Sequence, residues 1–263
     1  MKEDPSGKRP LIIGHRGAKG LAPENTLPAF RAGMAAGADG VEFDVQRTVD
    51  GHLVVFHDDD LKRLAGVDGR IVKSTLAMLR ELDVGRYAGP QYAGQVIPTL
   101  DEVLDTLPDH CFLNIEAKRF RMRSDGLEAG LVEAIQHRNL FDRCLVSCFN
   151  PLILWRIGRR DRRIRLGLLY DPDLPLMLGT AWPRRVMRVD ALHPWAGQVT
   201  QKLVDQAHRE GRPVNTWTVN APVEMRRVID LGVDGIITDR PDVLAAMLRG
   251  EEVAGDTLPP PST

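Results

Sequence analysis

Two histidines, three carboxylates and two cations fall where apolar runs end. His15, followed by Arg16 and Gly17, closes a short run. Glu42 and Asp44 flank Phe43 inside another, His57 and Asp58 end a third, and Glu116 and Lys118 bracket Ala117 at the end of a fourth. In an extended chain residues two apart project from one face, roughly 6.6–7 Å apart. Glu42 and Asp44 therefore look the same way, and Phe43 looks the other. Two carboxylates converging on an interior repel each other unless positive charge lies between them. A hard divalent cation, bound to oxygen at about 2.0–2.6 Å, meets that need. Glu116 can add a third carboxylate, with Lys118 on its own face. Histidine titrates near neutrality, so His15 and His57 could act as base and acid across one phosphorus centre. Arg16 can offer a planar fork to phosphate oxygens, and Lys118 a point charge.

Plainer roles compete for each residue. Acidic residues often cap strands or pair with arginines, and a lone histidine is more often a packing residue than a catalyst. His52, His110, His137 and His208 are assigned to packing. His15 and His57 differ because both finish β-type runs within reach of the Glu42/Asp44 pair. The basic run from Arg159 to Arg165 stands at a helix C-terminus before a strand, where dipole and solvation account for it. No Gly-x-Gly-x-x-Gly or Walker-type loop is present, which disfavours nucleotide binding.

The elements that would position these groups alternate. Strands are expected near Leu11–Gly14, Gly40–Val45, Cys111–Glu116, Leu145–Ser147, Leu166–Leu169, Ala191–His193, Val214–Thr218 and Gly235–Thr238. Helices are expected over Thr26–Ala36, Leu100–Thr106, Gly126–Arg138, Pro151–Arg160, Leu174–Arg188, Thr200–Glu210, Pro222–Leu231 and Pro241–Leu248. Eight strand–helix units point to the α/β class and a (β/α)8 TIM barrel, whose chemistry sits where strands give way to loops. The stretch between Asp44 and Thr99 is longer than the rest. Its extra extended run, Leu53–Phe56, predicts a small insertion after the second strand, about residues 52–98, that delivers His57 and forms part of a lid. Residues 1–9 are expected to be flexible, 10–249 to form the barrel, and 250–263 to be a disordered tail.

At 263 residues the chain can bury a large core without disulfide or structural metal. Thirty-five Lys and Arg against 36 Asp and Glu argue against bulk nucleic-acid affinity. Cys111, Cys144 and Cys148, an odd number without a Cys-x-x-Cys pair, read as reduced buried thiols. The polar start and the short Leu11–Ile13 run suit no secretory signal, and no apolar stretch is long enough to span a bilayer. A cytoplasmic protein without stable membrane insertion is expected.

His15-Arg16-Gly17, Pro23-Glu24-Asn25-Thr26, Glu42-x-Asp44, His57-Asp58, Glu116-x-Lys118, Trp217-Thr218-Val219-Asn220 and the segment from Gly235 to Pro241 together resemble the glycerophosphodiester phosphodiesterase family. The similarity runs from about residue 10 to residue 248. It implies the (β/α)8 fold and one divalent cation, Mg or Ca, on Glu42, Asp44 and Glu116. It also implies His15 and His57 as the acid/base pair, Arg16 and Lys118 as phosphate contacts, and Trp217 beside the leaving alcohol. The substrate would be a small glycerophosphodiester, cleaved to glycerol 3-phosphate and an alcohol by way of a cyclic phosphate. The chain departs from the family at Ser147-Cys148-Phe149-Asn150, where Ser-Phe is common, and Ser147 is given no role.

Three other readings compete. A lysophospholipase D-like enzyme would use the same groups on a lipid substrate, with Leu174–Met187 and Trp182 dipping into a membrane surface. A non-catalytic binding barrel would not need both histidines and all three carboxylates. A lyase or isomerase acting next to a carboxylate would more often carry a lysine base inside the barrel.

Overall fold

A computed structural model describes residues 9–118, 125–175 and 179–254. Eight parallel strands form a closed TIM barrel: β1 (Leu11–His15), β2 (Gly40–Arg47), β4 (Phe112–Ala117), β5 (Cys144–Cys148), β6 (Arg165–Tyr170), β7 (Ala191–Pro194), β8 (Asn215–Thr216) and β9 (Gly235–Thr238). Their spatial order is β7-β6-β5-β4-β2-β1-β9-β8. The ring closes between β7 and β8, where Leu192 bridges Val214, Trp195 bridges Trp217, and Leu192 N donates to Pro213 O at 2.9 Å. The one antiparallel strand among the described residues, β3 (Leu53–Val55), pairs with the end of β2, with Val45 opposite Val55.

Outward-facing strand residues and the inner faces of the helices share one apolar core that includes Val41, Phe43, Ile115, Val146, Leu168 and Ile236. Phe30 of α1 (Leu27–Ala35) meets Phe43 edge to face, with centroids 5.7 Å apart. Such a pair adds about 0.5–1.5 kcal/mol beyond simple burial. The helices begin where the sequence supplies caps. Thr26 accepts from Ala29 N at the start of α1, and Thr99 and Glu102 form a capping box on α4 (Leu100–Thr106). Asn150 accepts from Leu152 N before Pro151 opens α6 (Pro151–Arg160). α5 (Leu127–His137), α7 (Gln201–Arg209), α8 (Pro222–Asp230) and α9 (Pro241–Leu248) complete the outer layer of α-helices among the described residues.

Between β3 and α4 the chain leaves the barrel and makes two short helices, α2 (Lys62–Ala65) and α3 (Leu76–Arg80). This excursion has its own apolar cluster, with Val54, Phe56, Leu61, Ile71, Leu79 and Ile97 buried together.

The expected helix over Leu174–Arg188 does not form; the described part of that segment holds only a 3-10 turn, Trp182–Arg185. Its apolar spacing is broken by Pro175, Gly179 and Pro183, which remove donors or raise the backbone entropy cost. Residues 176–178 lie outside the described residues, as do 1–8 and 255–263 of the expected flexible termini. The expected Val214–Thr218 strand narrows to two residues, with single bridges at Val214 and Trp217. His110, His137 and His208 are exposed and His52 is half-exposed, so all four are surface groups rather than packing residues. His137 and His208 stand in the last turns of α5 and α7, where the helix dipole favours a cation. Arg159 and Arg160 close α6 in the same way, and Arg163 pairs with Asp161.

Candidate active site

The first turn of the site is set by backbone geometry. β1 ends at His15, and Arg16 and Gly17 then take positive φ values of 49° and 88°. A Cβ on Gly17 would stand 2.7 Å from the Ala29 carbonyl carbon, so only glycine admits α1 this close. The left-handed Arg16 is held by two bonds, its N–H donating to Glu42 Oε2 at 3.0 Å and its carbonyl accepting from Asn25 N at 3.0 Å. Asn25 is left-handed as well, at φ 57°. Its side-chain amide donates to Asp44 Oδ2 at 2.8 Å, so the Pro23–Thr26 turn braces the acidic pair on β2.

Strand alternation and register bring the carboxylates together. Asp44 on β2 lies opposite Glu116 on β4, and Glu42 sits two residues before Asp44 on the same face. One oxygen from each of Glu42, Asp44 and Glu116 lies within 4.8 Å of the others, and all three residues are buried. Ligand oxygens around a single hard cation stand no more than roughly 5.2 Å apart, twice the longest usual bond. The donor set therefore fits a dication. Burial and the neighbouring charges of Asp44 and Glu116 push the Glu42 carboxyl well above the usual carboxylate range. Burial would raise Asp44 as well, but Lys118, His57, Arg16 and the Asn25 amide outweigh it and hold Asp44 low. Lys118 Nζ stands 2.9 Å from Glu116 and 3.5 Å from Asp44. Burial disfavours its charge, yet those two carboxylates keep it firmly protonated.

Both histidines carry a carboxylate on Nδ1. His15 Nδ1 is 2.6 Å from Asp239 Oδ1, and His57 Nδ1 is 2.7 Å from Asp58 Oδ1. A carboxylate accepts, so each Nδ1 carries the proton and each Nε2 is left to act on a ligand. His15 Nε2 lies 3.9 Å from Glu42 Oε2. Burial, with Arg16 and Lys19 nearby, lowers the His15 pKa against the opposing pull of Asp239. Asp239 is fixed in turn by Asn220 Nδ2 at 2.7 Å and Lys19 Nζ at 3.5 Å. Gln46, next inward on β2 after Asp44, donates to the carbonyls of Phe56 and Asp58 at 2.9 and 2.7 Å and so holds the turn carrying His57.

These groups surround a cavity of about 240 Å³ at the C-terminal mouth of the barrel. His15, Arg16, Glu42, His57, Glu116, Lys118 and Trp217 all line it, and Asp44 completes the acidic trio beside it. Sequence reasoning gave no role to several residues found here. Asn114 and Ser147 reach the cavity with buried side-chain atoms that have no protein partner among the described residues. Phe149 meets Trp217 edge to face at 5.4 Å, and both rings line the cavity. The two-residue alternation that flagged Glu116 would also have placed Asn114 inward. No spacing signal leads to Asp239, 224 residues from His15.

Comparison with known proteins gives the family of the chain. The family model described as the glycerophosphoryl diester phosphodiesterase family matches residues 15–243. A glycerophosphodiester phosphodiesterase from Caldanaerobacter subterraneus subsp. tengcongensis is 39% identical over 242 residues, covering 91% of this chain and 98% of the relative. A glycerophosphodiester phosphodiesterase structure from Thermotoga maritima aligns with TM-score 0.74 at 30% identity, over 90% of this chain and 98% of that one. An Oleispira antarctica phosphodiesterase, solved with the product sn-glycerol-3-phosphate, aligns with TM-score 0.78 at 29% identity, over 92% and 97%. The chain belongs to the glycerophosphoryl diester phosphodiesterase family and is a phosphoric diester hydrolase.

Proposed function

We propose that this enzyme cleaves small glycerophosphodiesters to glycerol 3-phosphate and an alcohol, with His15 and His57 as the acid/base pair. The observation that carries this reading is the meeting of both carboxylate-backed imidazoles with the acidic trio around one cavity. Glu42, Asp44 and Glu116 would hold one divalent cation, Mg or Ca. When bound, it would offset charge building on the non-bridging oxygens of the diester. Arg16 and Lys118 would bind and orient the phosphate from either side of the trio. A preorganised charge of this kind usually makes the largest single contribution in such sites.

One imidazole Nε2 takes the proton of the glycerol hydroxyl next to the ester. That oxygen forms the new P–O bond, the bond to the head-group alcohol breaks, and the other imidazolium protonates the departing oxygen. Water then opens the cyclic phosphate while the two imidazoles exchange roles. Asp239 and Asp58 hold the tautomers and stabilise each imidazolium as it forms. Trp217 and Phe149 shield the leaving-group side from water. Buried, unpaired thiols at Cys111, Cys144 and Cys148 suit a cytoplasmic setting.

The lysophospholipase D-like reading has Leu174–Met187 and Trp182 dip into a membrane surface, and the described part of that segment holds a single 3-10 turn, Trp182–Arg185, rather than an amphipathic helix. No helix among the described residues is long and apolar enough to cross a membrane. The test is a panel of choline diesters assayed for released choline, the product common to every member. Glycerophosphocholine should turn over far faster than an analogue lacking the neighbouring hydroxyl, and faster than lysophosphatidylcholine with or without vesicles. Equal rates for the hydroxyl-free analogue would remove the cyclic step. Faster turnover of the lysolipid would replace the substrate class.

A further inference from the structure

Arg63, on α2 of the excursion, grips two carboxylates at once. Its Nε and Nη2 lie 2.6 and 3.1 Å from Asp58, while its Nη1 and Nη2 lie 2.8 and 2.7 Å from Glu24. Both partners hold site groups. Asp58 stands 2.7 Å from His57 Nδ1, and Glu24 stands 2.6 Å from Arg16 Nη1. Opposite charges thus alternate along one chain, Arg16, Glu24, Arg63 and Asp58, which ends on the His57 ring. The two ends belong to separate parts of the fold. Arg16 and Glu24 sit in the loop between β1 and α1, whereas His57 and Asp58 follow β3. Among the described residues, Arg63 is the group seen bonded to both carboxylates.

Its side chain is 47% exposed, and ion pairs of that exposure add little to stability. The geometry, by contrast, has consequences. A planar guanidinium with five fixed donors can satisfy two carboxylates at a set angle, which an ammonium cannot. Arg63 also keeps both partners ionised. Burial raises the Glu24 carboxyl, but Arg63 and Arg16 together bring it below its ordinary value, and Arg63 and His57 do the same for Asp58.

We propose that Arg63 is a positioning residue: through Asp58 it aligns His57, and through Glu24 it aligns Arg16, so that the proton-transfer and phosphate arms keep one register. The inference rests on the roles given to His57 and Arg16 above. It makes the excursion a working part of the site rather than a cover.

The test measures kcat, KM and Tm with glycerophosphocholine for Arg63→Gln, Arg63→Lys, Asp58→Asn and the Arg63→Gln/Asp58→Asn double variant. Arg70→Gln is the control, because Arg70 pairs with Asp59 at 3.0 Å on the same excursion, away from the cavity lining. Misplacement of reacting groups by about 1 Å can cost 10²-fold, so Arg63→Gln should lose roughly 10- to 100-fold in kcat. Its Tm should stay near that of Arg70→Gln, which should keep wild-type activity. Arg63→Lys should recover part of the loss. The double variant should fall by less than the product of the single losses, since both act through one carboxylate. The inference is overturned if folded Arg63→Gln keeps kcat within about twofold of the control, or if the losses multiply. Should Arg63→Gln not fold, Arg63→Lys at wild-type Tm carries the test, and unchanged kcat there overturns it. A wild-type enzyme inert on every glycerophosphodiester would instead sink the proposed function itself.

Discussion

His193, on the inner face of β7, is fully buried, and its Nε2 takes the Asn215 amide at 3.2 Å while Nδ1 has no partner among the described residues. Burial alone pulls its pKa down to about 3 from an ordinary 6.5. The native protein therefore keeps this imidazole neutral where an unfolded chain would protonate it. Its stabilising contribution is complete above pH 6.5 and is lost progressively as pH falls toward 3. At pH 5 the unfolded state gains about 1.5 pK units of protonation energy, or roughly 2 kcal/mol. For a domain of this size that is roughly 4–8 °C in Tm. Other groups titrate over the same range, so the informative quantity is a difference. His193→Gln removes the titrating ring while keeping a polar side chain for Asn215. Urea unfolding of both proteins in EDTA at pH 7.5 and pH 5.0 should show wild type losing about 2 kcal/mol more than the variant. Parallel losses, within about 0.5 kcal/mol, would show that His193 is protonated in the folded barrel and would refute the reasoning.

Three shorter tests follow from the site and the core. His15→Ala and His57→Ala should each lower kcat on glycerophosphocholine by at least about 10²–10⁴-fold, the usual reach of one proton-transfer group; near-normal rates in either folded variant would remove the scheme. Asp239→Asn should cost His15 its carboxylate and, with it, about 10²-fold or more in kcat at little change in KM, measured by the same assay. Burial raises the thiol of Cys111 to about 11 and those of Cys144 and Cys148 to about 12. A disulfide reagent at pH 8 should thus find all three inert in the native enzyme and all three reactive in denaturant.

The fold and the placement of the main site groups were legible because both follow from short-range periodicity. Two-residue alternation put Glu42 with Asp44 and Glu116 with Lys118, and each pair does share an inward face at the barrel mouth. Long-range partners were not legible. Asp239 reaches His15 only because β9 lies beside β1 in the closed ring, and Arg63 reaches Glu24 only because the excursion folds back over the first loop. Across Leu174–Arg188 the apolar spacing suits a helix, but Pro175, Gly179 and Pro183 oppose one, and the described part holds only the 3-10 turn Trp182–Arg185. The histidines separated by burial, which sequence spacing does not report. His193 lies inside the barrel, while His110, His137 and His208 face solvent.

The central claim is that Glu42, Asp44 and Glu116 hold a dication without which the two imidazoles do not cleave the diester. It is tested most directly by glycerol 3-phosphate release from glycerophosphocholine after EDTA treatment, then with Mg or Ca restored, in wild type and Glu116→Gln. Chelation should abolish turnover, one of the two ions should restore it in wild type, and the variant should stay impaired at ion levels that saturate wild type. Undiminished turnover in EDTA would contradict the account.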